Sequence, residues 1–240
     1  MGEDYDRFRP TYPDDAIDWC VGIHKSQVVD VGCGTGKLTT RLSALGHDVV
    51  GVDRSEQMLR TMTRRGLPAV RGAVEDLPFK TGSVDVVTAA QAFHWFDRSR
   101  ALSELRRILR SGGRLALLWN FRDERVAWVR ALSEIIGSDD AMSRTTGAPG
   151  PFKEGVRAAL ERARGFSSIE MREFRLEQAL DQDALVGLVA SRSYVAVLPD
   201  AERRELLERV ARLCITHDDL RGRSTFVLPY RTLTYRARAT

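Results

Sequence analysis

Between about residues 26 and 120, short apolar stretches alternate with longer amphipathic ones, and this alternation limits the possible folds more than any other property of the chain. Buried strands read as continuous Val-rich runs, and helices read as apolar residues spaced three and four apart. Val28-Val29-Asp30-Val31 predicts a first buried strand, followed by the glycine turn Gly32-Cys33-Gly34-Thr35-Gly36 and a helix through Leu38, Leu42 and Leu45 that ends at Gly46. Asp48–Asp53 predicts a second strand. Ser55 is placed to cap a helix that runs to about Arg65 and stops at Gly66. Ala69-Val70, Val84–Ala90 and Arg114–Trp119 predict three further strands. A helix over Arg100–Arg110 precedes the last of them, with Ser111-Gly112-Gly113 as its terminator. Strands alternating with helices imply a parallel sheet covered on both faces.

The second half is patterned differently. Helices are expected over 123–136, 153–163, 182–198 and 201–213, and strands over 169–176 and 225–236, the last interrupted by Pro229. Gly137–Pro151 is rich in Gly, Pro, Ser and Thr and reads as a mobile loop. The expected architecture is therefore a doubly wound, mostly parallel seven-stranded α/β sheet with a partly helical lid from insertions in the second half. A chain of 240 residues fits one such domain. Its expected parts are an N-terminal segment over about 1–25, a ligand-binding half over 26–122, and an acceptor-binding and lid half over 123–240.

Composition excludes several classes. Lys+Arg 37 against Asp+Glu 33 gives a net charge of +4, almost all of it from Arg, and that charge is spread along the chain rather than gathered in one stripe with interleaved aromatics. Nucleic acid is not an expected partner. The three cysteines, Cys20, Cys33 and Cys214, show no metal-ligand spacing and no disulfide framework, so no metal is expected and a reducing cytoplasmic compartment fits. The acidic start Met1–Asp6 is unlike a signal peptide, and the apolar run Leu115–Trp119 is too short to span a bilayer, so no membrane partner is expected. Either a monomer or a homodimer is compatible with these features.

The chemistry-bearing residues cluster where strands should end. Glycines at 32, 34 and 36 give GxGxG, with Lys37 where a dinucleotide fingerprint needs glycine, and with Val31 and Leu38 excluding a phosphate-binding P-loop. A glycine-rich turn leading into a helix lets backbone approach a ligand closely and presents free amides to it. Asp53, closing the second strand, offers acceptors for both hydroxyls of a ribose. Asp30 is read as a brace beneath the glycine turn. Asp76 can accept from the exocyclic amine of a base while Val74 and Leu77 flank its ring, although Glu75 and Asp76 also read as solvent-facing caps.

Together these segments resemble the class I methyltransferases that use S-adenosylmethionine. The resemblance rests on Val28–Gly36, Val50–Leu59, Glu75–Phe79 and Ser83–Val87, in family order, while Ser111 replaces the proline usual before the Gly-Gly turn. A closer likeness, to the trans-aconitate-like group within the small-molecule enzymes, is carried by Tyr5–Pro13, Gln91–Asp97 and Leu228–Thr232. The resemblance implies a Rossmann-like fold with S-adenosylmethionine as donor and S-adenosylhomocysteine as product. It implies Gly32, Gly34 and Gly36 against the methionine part, Asp53 on the ribose, Asp76 with Val74 at the adenine, and Gln91 near the sulfonium. Arg9 and Tyr12, with Tyr5, are expected to cover the cofactor.

The expected reaction is in-line methyl transfer to a small-molecule acceptor, an oxygen of a carboxylate or hydroxyl. Alternatives are N- or C-methylation, RNA methylation, and a non-catalytic cofactor-binding scaffold. His94 is the candidate general base, with orienting the acceptor and simple packing as its other readings. Trp95 and Phe96 are expected to wall the acceptor pocket. Tyr194 and Tyr230, with Arg192 and Arg231, are candidates for holding an acidic or phenolic acceptor.

Overall fold

The computed structural model describes residues 8–137 and 152–240. Its elements are α1 (Asp14–Val21), β1 (Gln27–Val31), α2 (Lys37–Ala44), β2 (Asp48–Asp53), α3 (Glu56–Thr63), β3 (Ala69–Arg71), β4 (Val84–Ala90), α4 (Arg98–Ile108), β5 (Leu109–Arg122), α5 (Ala127–Ile136), α6 (Phe152–Arg162), β6 (Phe166–Leu180), α7 (Gln182–Ala190), α8 (Ser193–Ala196), α9 (Asp200–Thr216) and β7 (Phe226–Ala239), with a 3-10 turn over Phe93–Trp95. Seven strands form one sheet in the order β3-β2-β1-β4-β5-β7-β6. The pairs β3/β2, β2/β1, β1/β4 and β4/β5 are parallel. β7 runs against β6: Thr234 bonds Arg172 O and Arg236 pairs with Glu170, so partner numbers fall as those along β7 rise. The sheet is thus mostly parallel with one antiparallel hairpin, as the sequence pattern implies.

Local chemistry sets the element ends. The Ser55 hydroxyl accepts from Met58 N at the start of α3, and Asp97 and Asp181 cap α4 and α7 through Arg100 N and Ala184 N. β1 and β4 are buried along nearly their whole length, which is why their sequences are Val-rich rather than alternating.

The structure departs from the sequence reading in four places. α1 is a helix within the expected N-terminal segment, and it buries Ala16, Ile17, Cys20 and Val21. Ser111-Gly112-Gly113 belongs to β5 rather than ending the preceding helix. Val84 pairs with Leu109 and Val86 with Arg114, so the extra residues bulge outward at Gly112, whose φ is +76°. The helix expected over 182–198 is broken into α7 and α8 near Arg192, and Pro229 lies inside β7 without interrupting it. Pro229 spends only its carbonyl, which accepts from Asp123 N at 2.9 Å. The segment read as a mobile loop falls, but for Gly137, outside the described residues.

By internal contacts the chain divides into two compact units. Among the described residues, one comprises 11–120, 152–174 and 232–240, with a core of Tyr12, Ile17, Cys20, Val28, Leu42, Val86 and Leu118 among others. The other comprises 8–10, 121–137 and 175–231, and buries Trp128, Leu132, Leu185, Val210 and Phe226 between its helices and strands.

Candidate active site

Four parallel strands, adjacent in the order β3, β2, β1 and β4, bring their carboxyl ends to one edge of the first unit. Strand order reverses between β1 and β4, and in open α/β sheets ligands bind outside the carboxyl ends at such a reversal. The glycine turn follows β1, Asp53 ends β2, the 72–79 loop follows β3, and Gln91 with the Phe93–Trp95 turn follows β4. The edge therefore gathers the residues that sequence reasoning assigned to the cofactor, apart from Arg9, Tyr12 and Tyr5.

The three turn glycines have different jobs. Gly36 caps α2 in the left-handed region, and a Cβ there would lie 2.6 Å from Met62 Cγ. A Cβ on Gly32 would lie 2.5 Å from the Ala92 Cβ, so this glycine lets the segment after β4 close against the turn. Gly34 also has a positive φ, +56°, but a Cβ there would meet nothing within 4 Å. Open space at the tip of the turn is what a ligand-facing backbone needs.

Asp53 organises this turn. One carboxylate oxygen accepts Gly34 N at 2.9 Å and the other accepts Ser55 N at 2.8 Å. Each oxygen retains a second lone pair, so the carboxylate can hold the turn and still receive ligand hydroxyls. Asp30 does what the sequence suggested for it: buried to 1% exposure, it accepts from Thr39 Oγ1 of α2 at 2.7 Å and Thr88 Oγ1 of β4 at 2.8 Å. Burial pushes its carboxyl up to about 6, against those two hydroxyl bonds.

The loop after β3 is fastened from two sides. The Glu75 side chain is only 7% exposed, pairs with Arg54 and accepts Asp97 N at 3.1 Å, so the reading of Glu75 as a solvent-facing cap is corrected. Glu104 accepts Leu77 N at 2.7 Å, while Arg107 donates to Leu77 O and Phe79 O. Sequence reasoning missed this clamp, although Glu104 and Arg107 lie three apart on one face of α4. Val74 is buried beneath the loop, and Asp76 is exposed.

Gln91 has φ +54°, a conformation costly for a residue with a side chain, and its amide donates to Asn120 O at 3.0 Å. His94 follows. Trp119 Nε1 donates to His94 Nδ1 at 3.5 Å, and a neutral imidazole that accepts at Nδ1 carries its proton on Nε2. Burial, aided by the Arg98 charge, lowers its pKa to about 4. Phe93 is core, whereas Phe96 sits against Gly32 and Trp95 is 72% exposed beside the His94 ring. A neutral imidazole held this way can donate from Nε2, and its lowered pKa leaves it little capacity to take up a proton near neutral pH.

The remaining candidates divide between the units. Tyr12 is in the core of the first unit. Arg9 is in the second, where it donates to Ser191 O at 3.3 Å. Tyr194 and Tyr230 are there too: the Tyr194 hydroxyl donates to Ile136 O at 2.6 Å, and the Tyr230 hydroxyl donates to Gln178 Oε1 at 3.1 Å. Arg192 is buried in the same unit, and Arg231 lines a cleft there. Tyr5 lies outside the described residues. Among the described residues no three His, Cys, Asp or Glu side chains are grouped to hold a metal ion.

Comparison with known proteins agrees with this geometry. A methyltransferase domain family matches residues 29–117. Uncharacterized methyltransferases of Mycobacterium tuberculosis and Mycobacterium bovis are 44% identical to the chain over 236 residues, covering 97% of it and 91% of each relative. A candidate type II methyltransferase from Anaeromyxobacter dehalogenans superimposes with a TM-score of 0.65 at 26% identity, covering 97% of both chains. The geranyl diphosphate C-methyltransferase of Streptomyces coelicolor, solved with S-adenosyl-L-homocysteine, shares the fold at a TM-score of 0.52 and 16% identity, over 95% of this chain and 78% of that one. The chain belongs to the class I methyltransferases, the enzymes that take their methyl group from S-adenosylmethionine.

Proposed function

We propose that this enzyme methylates an oxygen of a small-molecule acceptor, and that the acceptor presents a carboxylate. S-adenosylmethionine supplies an electrophilic methyl on a cationic sulfur, and what remains for the protein is positioning and exclusion of water. Open space at Gly34 fits the methionine part, with Gly32 and Gly36 shaping the turn around it. Asp53 receives the ribose hydroxyls on its spare lone pairs, Val74 and Asp76 meet the adenine, and Gln91 lies near the sulfonium. The compartment we assign is the cytoplasm, in keeping with three free cysteines; no helix among the described residues is long and apolar enough to cross a membrane.

The observation that carries the carboxylate reading is the Trp119–His94 bond. With Nδ1 accepting from the indole, the hydrogen sits on Nε2, where it can be donated to an acceptor, and His94 cannot receive a proton there without first losing its own. An alcohol or amine acceptor needs a base, whereas a carboxylate arrives deprotonated and gains from a donor that orients it. Trp95 and Phe96 then shield the reacting atoms. The likeness to trans-aconitate-like enzymes supports the same choice.

The test is a panel of small carboxylic acids, phenols and amines incubated with the purified enzyme and methyl-labelled S-adenosylmethionine. Expected products are base-labile methyl esters. Turnover of amines or carbon acceptors with none of the acids would overturn the carboxylate reading, while calorimetric binding of S-adenosylhomocysteine checks the cofactor site separately.

A further inference from the structure

The segment between β3 and β4 carries Val74 and Asp76, and α4 holds it at three levels within the first unit. Where the helix starts, Asp97 N donates to Glu75 at 3.1 Å. Further along, Glu104 accepts Leu77 N at 2.7 Å, while Arg107 donates to Leu77 O at 3.0 Å and to Phe79 O at 2.8 Å. Where the helix ends, Gly82 N and Ser83 N donate to Arg107 O and Ile108 O, both at 2.9 Å. Asp76 therefore sits between two anchored residues, Glu75 and Leu77. Its own N–H donates to Ala73 O at 3.1 Å and closes a tight turn, from which the exposed Asp76 side chain projects.

The middle anchor uses one ion pair to take both backbone polar groups of a single residue. Glu104 and Arg107 are paired at 2.6 Å, with a second bond of 2.7 Å from Arg107 Nε. The Arg107 guanidinium holds the Glu104 carboxyl below its ordinary value against the effect of burial, with Leu77 N adding to it. A pair three residues apart on a helix surface contributes little to the helix itself. Here the two side chains are 14% and 35% exposed, and their remaining bonds go to the loop. The Asp76 carboxylate is also near enough to favour the charged form of Arg107. The pair thus serves the loop more than the helix that carries it.

We infer that Glu104 and Arg107 are positioning residues for the methyl donor, and that they set its selectivity for adenine over a base lacking the exocyclic amine. The inference rests on the assignment of Val74 and Asp76 to the adenine. A carboxylate that accepts from that amine discriminates best when its backbone is fixed, because a free loop can swing aside for the wrong base. Holding Leu77 by both its N–H and its carbonyl removes that freedom from the residue next to Asp76. Neither Glu104 nor Arg107 has to touch the base.

The experiment is calorimetry of the full chain with S-adenosylhomocysteine and with S-inosylhomocysteine, in which an oxo group replaces the amine. The wild type should favour the adenine compound about tenfold or more, the scale of one hydrogen bond to a charged group. Glu104→Ala and Arg107→Lys should each cut that preference about threefold or more, as expected for residues in one hydrogen-bond network. Lysine keeps the charge but lacks the fork that spans Leu77 O and Phe79 O. Glu104→Gln, whose amide oxygen can still accept Leu77 N, should retain most of the preference. Ser103→Ala, at an exposed position of α4, should leave it unchanged. A merely structural pair would lower Tm in Glu104→Ala and Arg107→Lys and leave the ratio of the two affinities at its wild-type value, and that result overturns the inference. Asp76→Ala separates it from the reading beneath. If Asp76→Ala also leaves the ratio unchanged, or the wild type shows no preference, the adenine assignment falls as well. If Asp76→Ala lowers the ratio and the α4 variants do not, only the positioning role falls. Arg107→Lys carries the test if Glu104→Ala does not fold.

Discussion

Replacing Gly34 with alanine separates a glycine that serves the fold from one that serves a ligand. Its φ of +56° lies in the left-handed region, where a Cβ costs about 1–2 kcal/mol. Nothing stands within 4 Å of the new Cβ, so no packing penalty adds to that. For a chain of this size each kcal/mol lowers Tm by about 2–4 °C, which gives an expected fall of about 2–8 °C. Gly36→Ala carries the same backbone cost and also drives its Cβ to 2.6 Å from Met62 Cγ, adding an overpacking penalty of about 1–3 kcal/mol and a visibly larger fall in Tm. Binding should respond in the other sense. The Gly34→Ala methyl occupies the space assigned to the methionine part of the donor, so S-adenosylhomocysteine affinity should drop about tenfold or more by calorimetry. If Gly34→Ala binds S-adenosylhomocysteine like the wild type while its Tm falls as expected, the space above the turn is not the donor's and the cofactor assignment fails.

Asp53→Ala should weaken S-adenosylhomocysteine binding by about 1.5–3 kcal/mol, the scale for a hydrogen bond to a charged group, and should also lower Tm, because Gly34 N and Ser55 N lose their acceptor; unchanged affinity would remove Asp53 from the ribose. Asp30 gives a pH signature. Its unfolded carboxyl ionises near 3.8 and the folded one near 6, so between those values the folded state holds the extra proton and stability declines as pH rises, levelling off above about 6. Asp30→Asn, which can still accept from one threonine and donate to the other, should flatten that decline in urea midpoints measured across the window, and an unaltered slope would show that the proton sits elsewhere. His94 is held neutral down to about pH 4, so kcat should show no His94 inflection between about pH 5 and 8. His94→Gln, which keeps a donor, should retain more turnover than His94→Ala, expected to lose about 10- to 100-fold in kcat; a bell-shaped profile abolished equally by both substitutions would return His94 to the role of base.

Much of the first unit was legible because its strands and helices are local patterns: the Val-rich runs of β1 and β4, the cap at Ser55, the glycines that break the chain. α1 was missed although its signal is present, with Pro13 leading into two acids and buried positions at 16, 17, 20 and 21. The Gly-Gly bulge was misread because a helix stop and a strand bulge use the same residues, and only the pairing with β4 distinguishes them. Glu75 looked solvent-facing because its partners, Arg54 and Asp97, are brought to it by the fold and not by spacing. The tautomer of His94 was hidden for the same reason, since Trp119 lies 25 residues away on another strand. The division into units was beyond any local pattern, because each unit gathers segments more than a hundred residues apart.

Met62 touches two places that must stay small. Its side chain fills the positions a Cβ would take both on Gly36, at the head of α2, and on Gly51, in the middle of β2. Related chains with alanine at either position should therefore carry a shorter residue at 62, and the three sites should vary as a set. Anyone wishing to reshape the turn by mutation would do well to begin on the far helix rather than on the turn itself.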